Sequence, residues 1–214
     1  MNLTKLTEKY IESKPSIKDC LKKDMVNFSK LARTIIKENK LKNNDFDAVL
    51  IACRRYKRKL KNEFQHEEQI LNLLKKTKIS LKTKIAVIVL EKSIFFNNLI
   101  EIGKKIKKTN EEFHMFEGPS SITVITSQEF LDEIKKTFKN SIIKINKDLV
   151  AVILKSPESI ENLPGVVAFT YSLLADNSVN LVESMSCWTD TIFVVNEKQI
   201  AKVMEVLRFW HQKF

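Results

Sequence analysis

The stretch NLPGVVAFTYSLLADNSVNLVESMSCWTDTIFVV, residues 162–195, decides the fold. It opens on a loop with Pro164-Gly165. Val166, Phe169 and Leu173 then recur at helical spacing, with Val167 and Leu174 alongside. Asp176-Asn177-Ser178 breaks that pattern. Val179, Leu181, Met185 and Cys187 alternate with polar positions, the period of a half-buried strand. Trp188-Thr189-Asp190 reads as a tight turn and Thr191–Val195 as a continuous apolar strand. The order is loop, helix, strand, hairpin, strand. A further amphipathic helix follows, with Ile200, Val203, Met204, Leu207 and Trp210 on one stripe.

Upstream, the same order occurs once more. KIAVIVLE, residues 84–91, is a strand rich in β-branched residues, and Phe95, Leu99, Ile102 and Ile106 define a helix. Phe113–Phe116 and Ile122–Thr126 are strands meeting at Glu117-Gly118-Pro119-Ser120, a hairpin signal. Phe130, Leu131, Ile134 and Phe138 give another helix, and Ile142–Ile145 another strand. After Asn146-Lys147-Asp148, a separate strand Leu149–Leu154 leads into the opening stretch. A βαββαβ order is thus followed by βαββα, an internal repeat.

The downstream copy resembles an ACT domain, the small amino-acid-sensing module of βαββαβ order, and in particular the aspartokinase-type regulatory ACT. The residues that carry the resemblance are Pro164-Gly165-Val166, Asn180-Leu181-Val182, Ser184–Cys187 and Asp190–Val195. It implies an α+β fold of two ferredoxin-like ACT repeats with antiparallel sheets, over 79–147 and 148–214. It also implies an amino-acid ligand between the Pro-Gly loop and a strand of a neighbouring module, and hence a homodimer through the ACT repeats. The first copy has Lys92-Ser93-Ile94-Phe95 where the second has Asn162-Leu163-Pro164-Gly165, so it serves as a structural partner. The second copy shows no last strand of its own, and a strand donated from elsewhere would cover that edge.

An amino acid needs donors for its carboxylate and acceptors for its ammonium. The loop before Val166 offers backbone N–H groups at a helix N-terminus, where the dipole favours an anion. Gly165 permits close backbone approach, and Pro164 suits the first helical position. Asn162, Asn180 and Glu183 are candidate acceptors for the ammonium. The alternative is that Pro164-Gly165 only starts a helix and Asn180 only caps a turn.

The 214 residues carry a net charge of +11, unevenly spread. Residues 1–78 hold 20 Lys/Arg against 10 Asp/Glu, and residues 79–214 hold 17 against 16. That asymmetry points to a basic head with a polyanionic partner; the bland reading is a Lys-rich surface. In the head, a short helix carries Leu3, Leu6 and Tyr10. Ser16 is placed to cap a second helix from Ile17 to about Asp24, and Phe28–Lys37 form a third. Two short helices around Met25-Val26-Asn27 fit a helix-turn-helix. Ser29, Lys30, Arg33, Thr34 and Lys37 would then face duplex DNA. The competing reading is a plain three-helix packing unit. Asp45 caps one long helix from Phe46 toward Lys76, and its Arg54, Arg55, Lys57 and Arg58 could neutralise phosphates or form only a solvated face.

Other chemistry finds little footing. His66, His114 and His211 are scattered, and three glycines leave no phosphate-cradling loop, so neither catalytic residues, metal nor cofactor is expected. Cys20, Cys53 and Cys187 lack ligand spacing and suit a reducing compartment. No apolar run reaches membrane-spanning length and the N-terminus lacks a signal-like core, so a cytoplasmic, membrane-free protein is expected. By the same resemblance an aspartokinase would place a kinase domain beside such an ACT pair, and a helical head is expected in its place here. Three functions follow. One is an amino-acid-sensing regulator with a DNA-binding head, similar to archaeal-type regulators that join an ACT region to a helical head. The second is a non-catalytic regulatory subunit whose head docks on a metabolic enzyme. The third is a small enzyme assembled by ACT modules. A gel shift separates the first two, and the third requires a catalytic constellation that the sequence does not show.

Overall fold

The computed structural model describes residues 2–60, 64–94 and 96–208, and the side chains of 64–66 lie outside it. Phe95, Trp210 and His211 therefore fall outside the described residues, as do the side chains of Phe64 and His66. The chain divides between Ile70 and Leu71 into two compact units.

The first unit is helical. α1 spans Leu3–Glu12, α2 Pro15–Lys22, α3 Phe28–Glu38 and α4 Phe46–Lys59. Asn2 and Asn27 cap α1 and α3, accepting from the backbone N–H of Lys5 (3.2 Å) and Lys30 (3.0 Å). Ser16 is not the cap of α2. Lys14 holds that position and Pro15 is the first helical residue, where its missing N–H is no loss. Asp45 holds the N-cap position of α4 as expected, but its side chain accepts from the Lys42 N–H (3.1 Å) and closes a 3-10 turn instead of bonding to the helix. The expected long helix is two elements, because α4 ends at the Leu60 cap and α5 spans Phe64–Leu74. Ile11, Leu21, Ala32, Ile35, Val49 and Cys53 are buried in one core. Each large aliphatic there contributes about 1.5–3 kcal/mol by leaving water.

The second unit is built on one sheet of six antiparallel strands in the order β2-β3-β1-β4-β6-β5. β1 spans Lys78–Glu91, β2 Phe113–Glu117, β3 Ser121–Ser127, β4 Ile142–Lys155, β5 Leu181–Cys187 and β6 Asp190–Asn196. The helices are α6 (Phe96–Lys108), α7 (Leu131–Phe138), α8 (Val166–Asp176) and α9 (Ile200–Arg208). β1 and β4 are twins. Each runs 14 residues and carries a left-handed residue at its seventh position, Lys84 (φ 54°) and Asp148 (φ 55°). Asn146-Lys147-Asp148 therefore does not separate two strands. It is a bulge inside one, at which β4 changes partners.

The exchange of partners is reciprocal. The second half of β1 pairs with β3 and with Ile142–Asn146 at the start of β4. The second half of β4 pairs with β6 and with Lys78–Lys82 at the start of β1. The first half of β1, absent from the expected strand 84–91, thus supplies the edge that the downstream β4-β6-β5 layer lacks. Ala86, Ile88 and Leu90 face α6 and α7, whose Leu99, Ile102, Ile106, Ile134 and Phe138 are buried against them. The opposite faces of both halves share a single apolar cluster containing Ile85, Val87, Ile125, Leu149, Ile192 and Val194. The sheet is curled so that its helix-free side is also a core. On α8 the buried stripe is Val166, Thr170 and Leu174, with Phe169 and Leu173 only half buried and Val167 exposed. Thr170 tolerates burial because its hydroxyl donates to the Val166 carbonyl (3.0 Å).

Candidate functional site

The Pro-Gly loop joins β4 to α8. Ser156, just past β4, is buried; its N–H donates to the Thr189 carbonyl (2.9 Å) and its hydroxyl lies 3.0 Å from that of Thr77. These contacts tie the loop's first residue to the β5–β6 hairpin and to the residue preceding β1. A 3-10 turn over Glu158–Asn162 follows, then Pro164-Gly165. Gly165 is the N-cap of α8 at φ 92°, a left-handed conformation that L side chains resist. Pro164 accordingly stands before the cap, not at the first helical position. Among the described residues no side chain caps α8, and its first backbone bond runs from the Phe169 N–H to the Gly165 carbonyl (2.8 Å). The leading amides of α8 are therefore left with positive character and no intrahelical acceptor.

Lys155 pairs with both Lys78 and Asp190, so the start of β1, the end of β4 and the start of β6 share the end of the sheet where this loop lies. At that end Lys75, Lys76, Lys78 and Arg208 surround an open cleft of about 640 Å³ floored by Ile79 and Met204. Among the described residues, no carboxylate lines it. The run Lys75-Lys76-Thr77-Lys78 is visible in the sequence, but only the fold carries the end of α9 to it.

The candidate positions do not all meet at the loop within one chain. Asn162, Pro164 and Gly165 are exposed around it, whereas the Val166 side chain is buried in the core. Asn180 sits beyond the far end of α8, a helix about 16 Å long. Glu183 pairs with Val194 and shares its helix-free face, where burial pushes its carboxyl above the usual range. Ser184 faces the other way and accepts from the Tyr171 hydroxyl (2.6 Å), while the Tyr171 ring packs edge-on to Phe193.

In the helical unit, Lys30, Arg33, Arg54, Arg55 and Arg58 are exposed and Ser29 is half buried. Lys57 differs from its neighbours on α4. It is paired with Asp24 at the α2–α3 turn and lies over the Phe28 ring. Lys59 pairs with Glu8 of α1. The densest basic run is thus divided between internal ion pairs and an exposed arginine face. Among the described residues, no three His, Cys, Asp or Glu side chains come together as metal ligands. No described helix is long and apolar enough to cross a membrane.

No family model matches the chain. No curated protein matches its sequence. Solved structures do share the fold. Clostridium acetobutylicum aspartate kinase, described as an allosteric enzyme, superposes with a TM-score of 0.52 at 17% identity, over 63% of this chain and 34% of that one. The ligand-free regulatory subunit of aspartate kinase from Thermus thermophilus gives 0.49 at 12% identity, over 63% and 97%. The corresponding subunit from Thermus flavus gives 0.48 at 10%, over 63% and 97%. The chain thus spans about a third of the whole enzyme. The likeness to the Clostridium enzyme is one of fold: an α+β arrangement with an antiparallel sheet.

Proposed function

We propose that the chain is an amino-acid-responsive regulatory protein whose ligand site is organised by the Pro164-Gly165 loop of a second ACT repeat, 148–214, with 79–147 as its structural partner. The observation that carries this reading is the uncapped N-terminus of α8 at Gly165, at the same end of the sheet as a cleft ringed by Lys75, Lys76, Lys78 and Arg208. Both features offer positive character to a carboxylate. Asn162 lies beside the loop. Asn180 and Glu183, remote from it in one chain, would serve the ammonium from a second copy, so the reading includes a homodimer. The fold shared with an allosteric aspartate kinase supports a regulatory role.

A thermal-shift panel of the amino acids tests this. A cognate amino acid at about a hundred times its Kd should stabilise the protein by roughly 2.7 kcal/mol. Gly165→Val should abolish that rise while the protein remains folded. A folded wild-type protein that no amino acid stabilises would sink the reading.

A second reading concerns the helical unit. The exposed Arg54, Arg55 and Arg58 on α4, with Lys30 and Arg33 on α3, favour duplex DNA as its partner; the alternative is a docking surface for a metabolic enzyme. A gel shift at stated salt distinguishes the two.

A further inference from the structure

The helical unit holds an open cleft of about 500 Å³ that neither reading above uses as a pocket. One wall is the C-terminal half of α3, where Arg33, Ile36 and Lys37 follow the i, i+3, i+4 spacing of a single face. The other wall is the chain leaving that helix. Lys40 is left-handed (φ 51°) and turns the backbone, so that the Leu41 N–H donates to the Ile36 carbonyl (3.0 Å). Buried Ile36 and half-buried Leu41 and Phe46 make an apolar floor. Three cations make the rim. The Arg33 guanidinium sits 5.7 Å from the centre of the Phe46 ring, which holds it over an aromatic platform.

Cations at a helix C-terminus offset the helix dipole, and that accounts for Lys37 and Lys40. It does not account for Arg33, a full turn before Lys37, nor for an apolar floor left open beside them. No carboxylate lines the cleft, and none of the three cations forms an ion pair among the described residues. Arg33 and Lys37, four residues apart, repel one another until an anion stands between them. The volume lies within the roughly 300–1,000 Å³ of small-molecule sites, which pair apolar walls with a few convergent polar groups.

We propose that this cleft binds a small organic anion with a flat apolar body, an aryl carboxylate or aryl phosphate in chemistry. Its ring lies on Ile36, Leu41 and Phe46, and its charged head is held by Arg33, Lys37 and Lys40. The site belongs to the helical unit and is independent of the Gly165 loop.

Calorimetric titration of the full chain at about 0.15 M salt, which screens weak surface attraction, provides the test. The probes are 2-naphthoate, the uncharged 2-naphthamide and inorganic phosphate. 2-Naphthoate should bind saturably, with the other two at least about tenfold weaker, since each lacks one half of the recognition. Arg33→Gln with Lys37→Gln should weaken 2-naphthoate at least about tenfold at unchanged melting temperature, because both side chains are exposed. Gly165→Val should leave its binding intact. Absence of saturable binding, equal binding of 2-naphthamide, or undiminished binding in the double variant overturns the proposal. So does duplex DNA that depends on Arg33 and Lys37 while 2-naphthoate fails to bind, which would make the cleft a phosphate-backbone contact.

Discussion

At the scale of single residues, two side chains carry a cost that substitution should relieve. Thr126 on β3 is fully buried, registers between Ala86 and Phe113, and its hydroxyl has no hydrogen-bond partner among the described residues. An unsatisfied buried hydroxyl costs about 1–3 kcal/mol, whereas an apolar group of the same shape costs nothing of the kind. Thr126→Val should therefore raise stability by about 1 kcal/mol in urea unfolding, and a loss of that size would show a hidden partner. Glu183 is the second. Burial raises its carboxyl above the ordinary 4.5, so the folded state holds that proton more tightly than the unfolded chain. Its contribution to stability is thus best at acid pH and declines as pH climbs past about 4.5 and through the raised folded value. Glu183→Gln should gain stability at neutral pH and gain none at pH 4, compared by thermal melts at both.

At the scale of elements, the exchange between β1 and β4 is what closes the second half of the sheet. Ser80 pairs with Ile153, and the Lys78–Lys82 segment is the only strand beside β4 on that flank among the described residues. A proline there removes a ladder donor and restrains the backbone. Ser80→Pro should strip hydrogen-exchange protection from Val152–Leu154 and leave Val87–Leu90, held by β3, nearly unchanged. Uniform loss along both strands would show instead that the sheet opens as one cooperative piece. The helices report the same dependence on neighbours. α8 is apolar on nearly every side, so periodicity alone could not choose between Phe169–Leu173 and Thr170–Leu174; the tertiary fold buries the latter.

At the scale of the whole molecule, charge is distributed by unit. Residues 1–70 hold 17 Lys/Arg against 10 Asp/Glu, and 71–214 hold 20 against 16. Lys75, Lys76 and Lys78, counted with the head on sequence grounds, belong to the sheet-bearing unit. The helical unit keeps an excess of cations, with Arg54, Arg55 and Arg58 exposed on α4. Binding of the full chain to duplex DNA should weaken steeply with salt. Replacing those three arginines with Gln should flatten the log–log slope by up to about 0.9 per phosphate contact removed. Changing Lys57 should leave that slope in place and instead disturb the α2–α3 turn, because its charge is already committed to Asp24. No DNA binding at low salt would turn the arginine face into a protein-docking or merely solvated surface.

Apart from β4, which reads as two strands, the order of strands and helices in residues 79–208 was determined by the sequence alone, because alternation, helical spacing and turn residues are local signals that survive without neighbours. Gly165 was legible for the same reason: a Pro-Gly pair before an apolar helix marks a backbone that must turn sharply. Tertiary structure decided everything that rests on a choice of partner. Asp148 reads as a turn residue, yet it became a bulge because both halves of β4 found strands to pair with. Lys57 reads as one of a basic run, yet Asp24, 33 positions away, took its charge. Arg208 joined Lys75, Lys76 and Lys78 only when α9 folded back along the sheet. A pattern within a few residues can set an element's type, but long-range pairing and desolvation set its neighbours, and the candidate sites are made of neighbours.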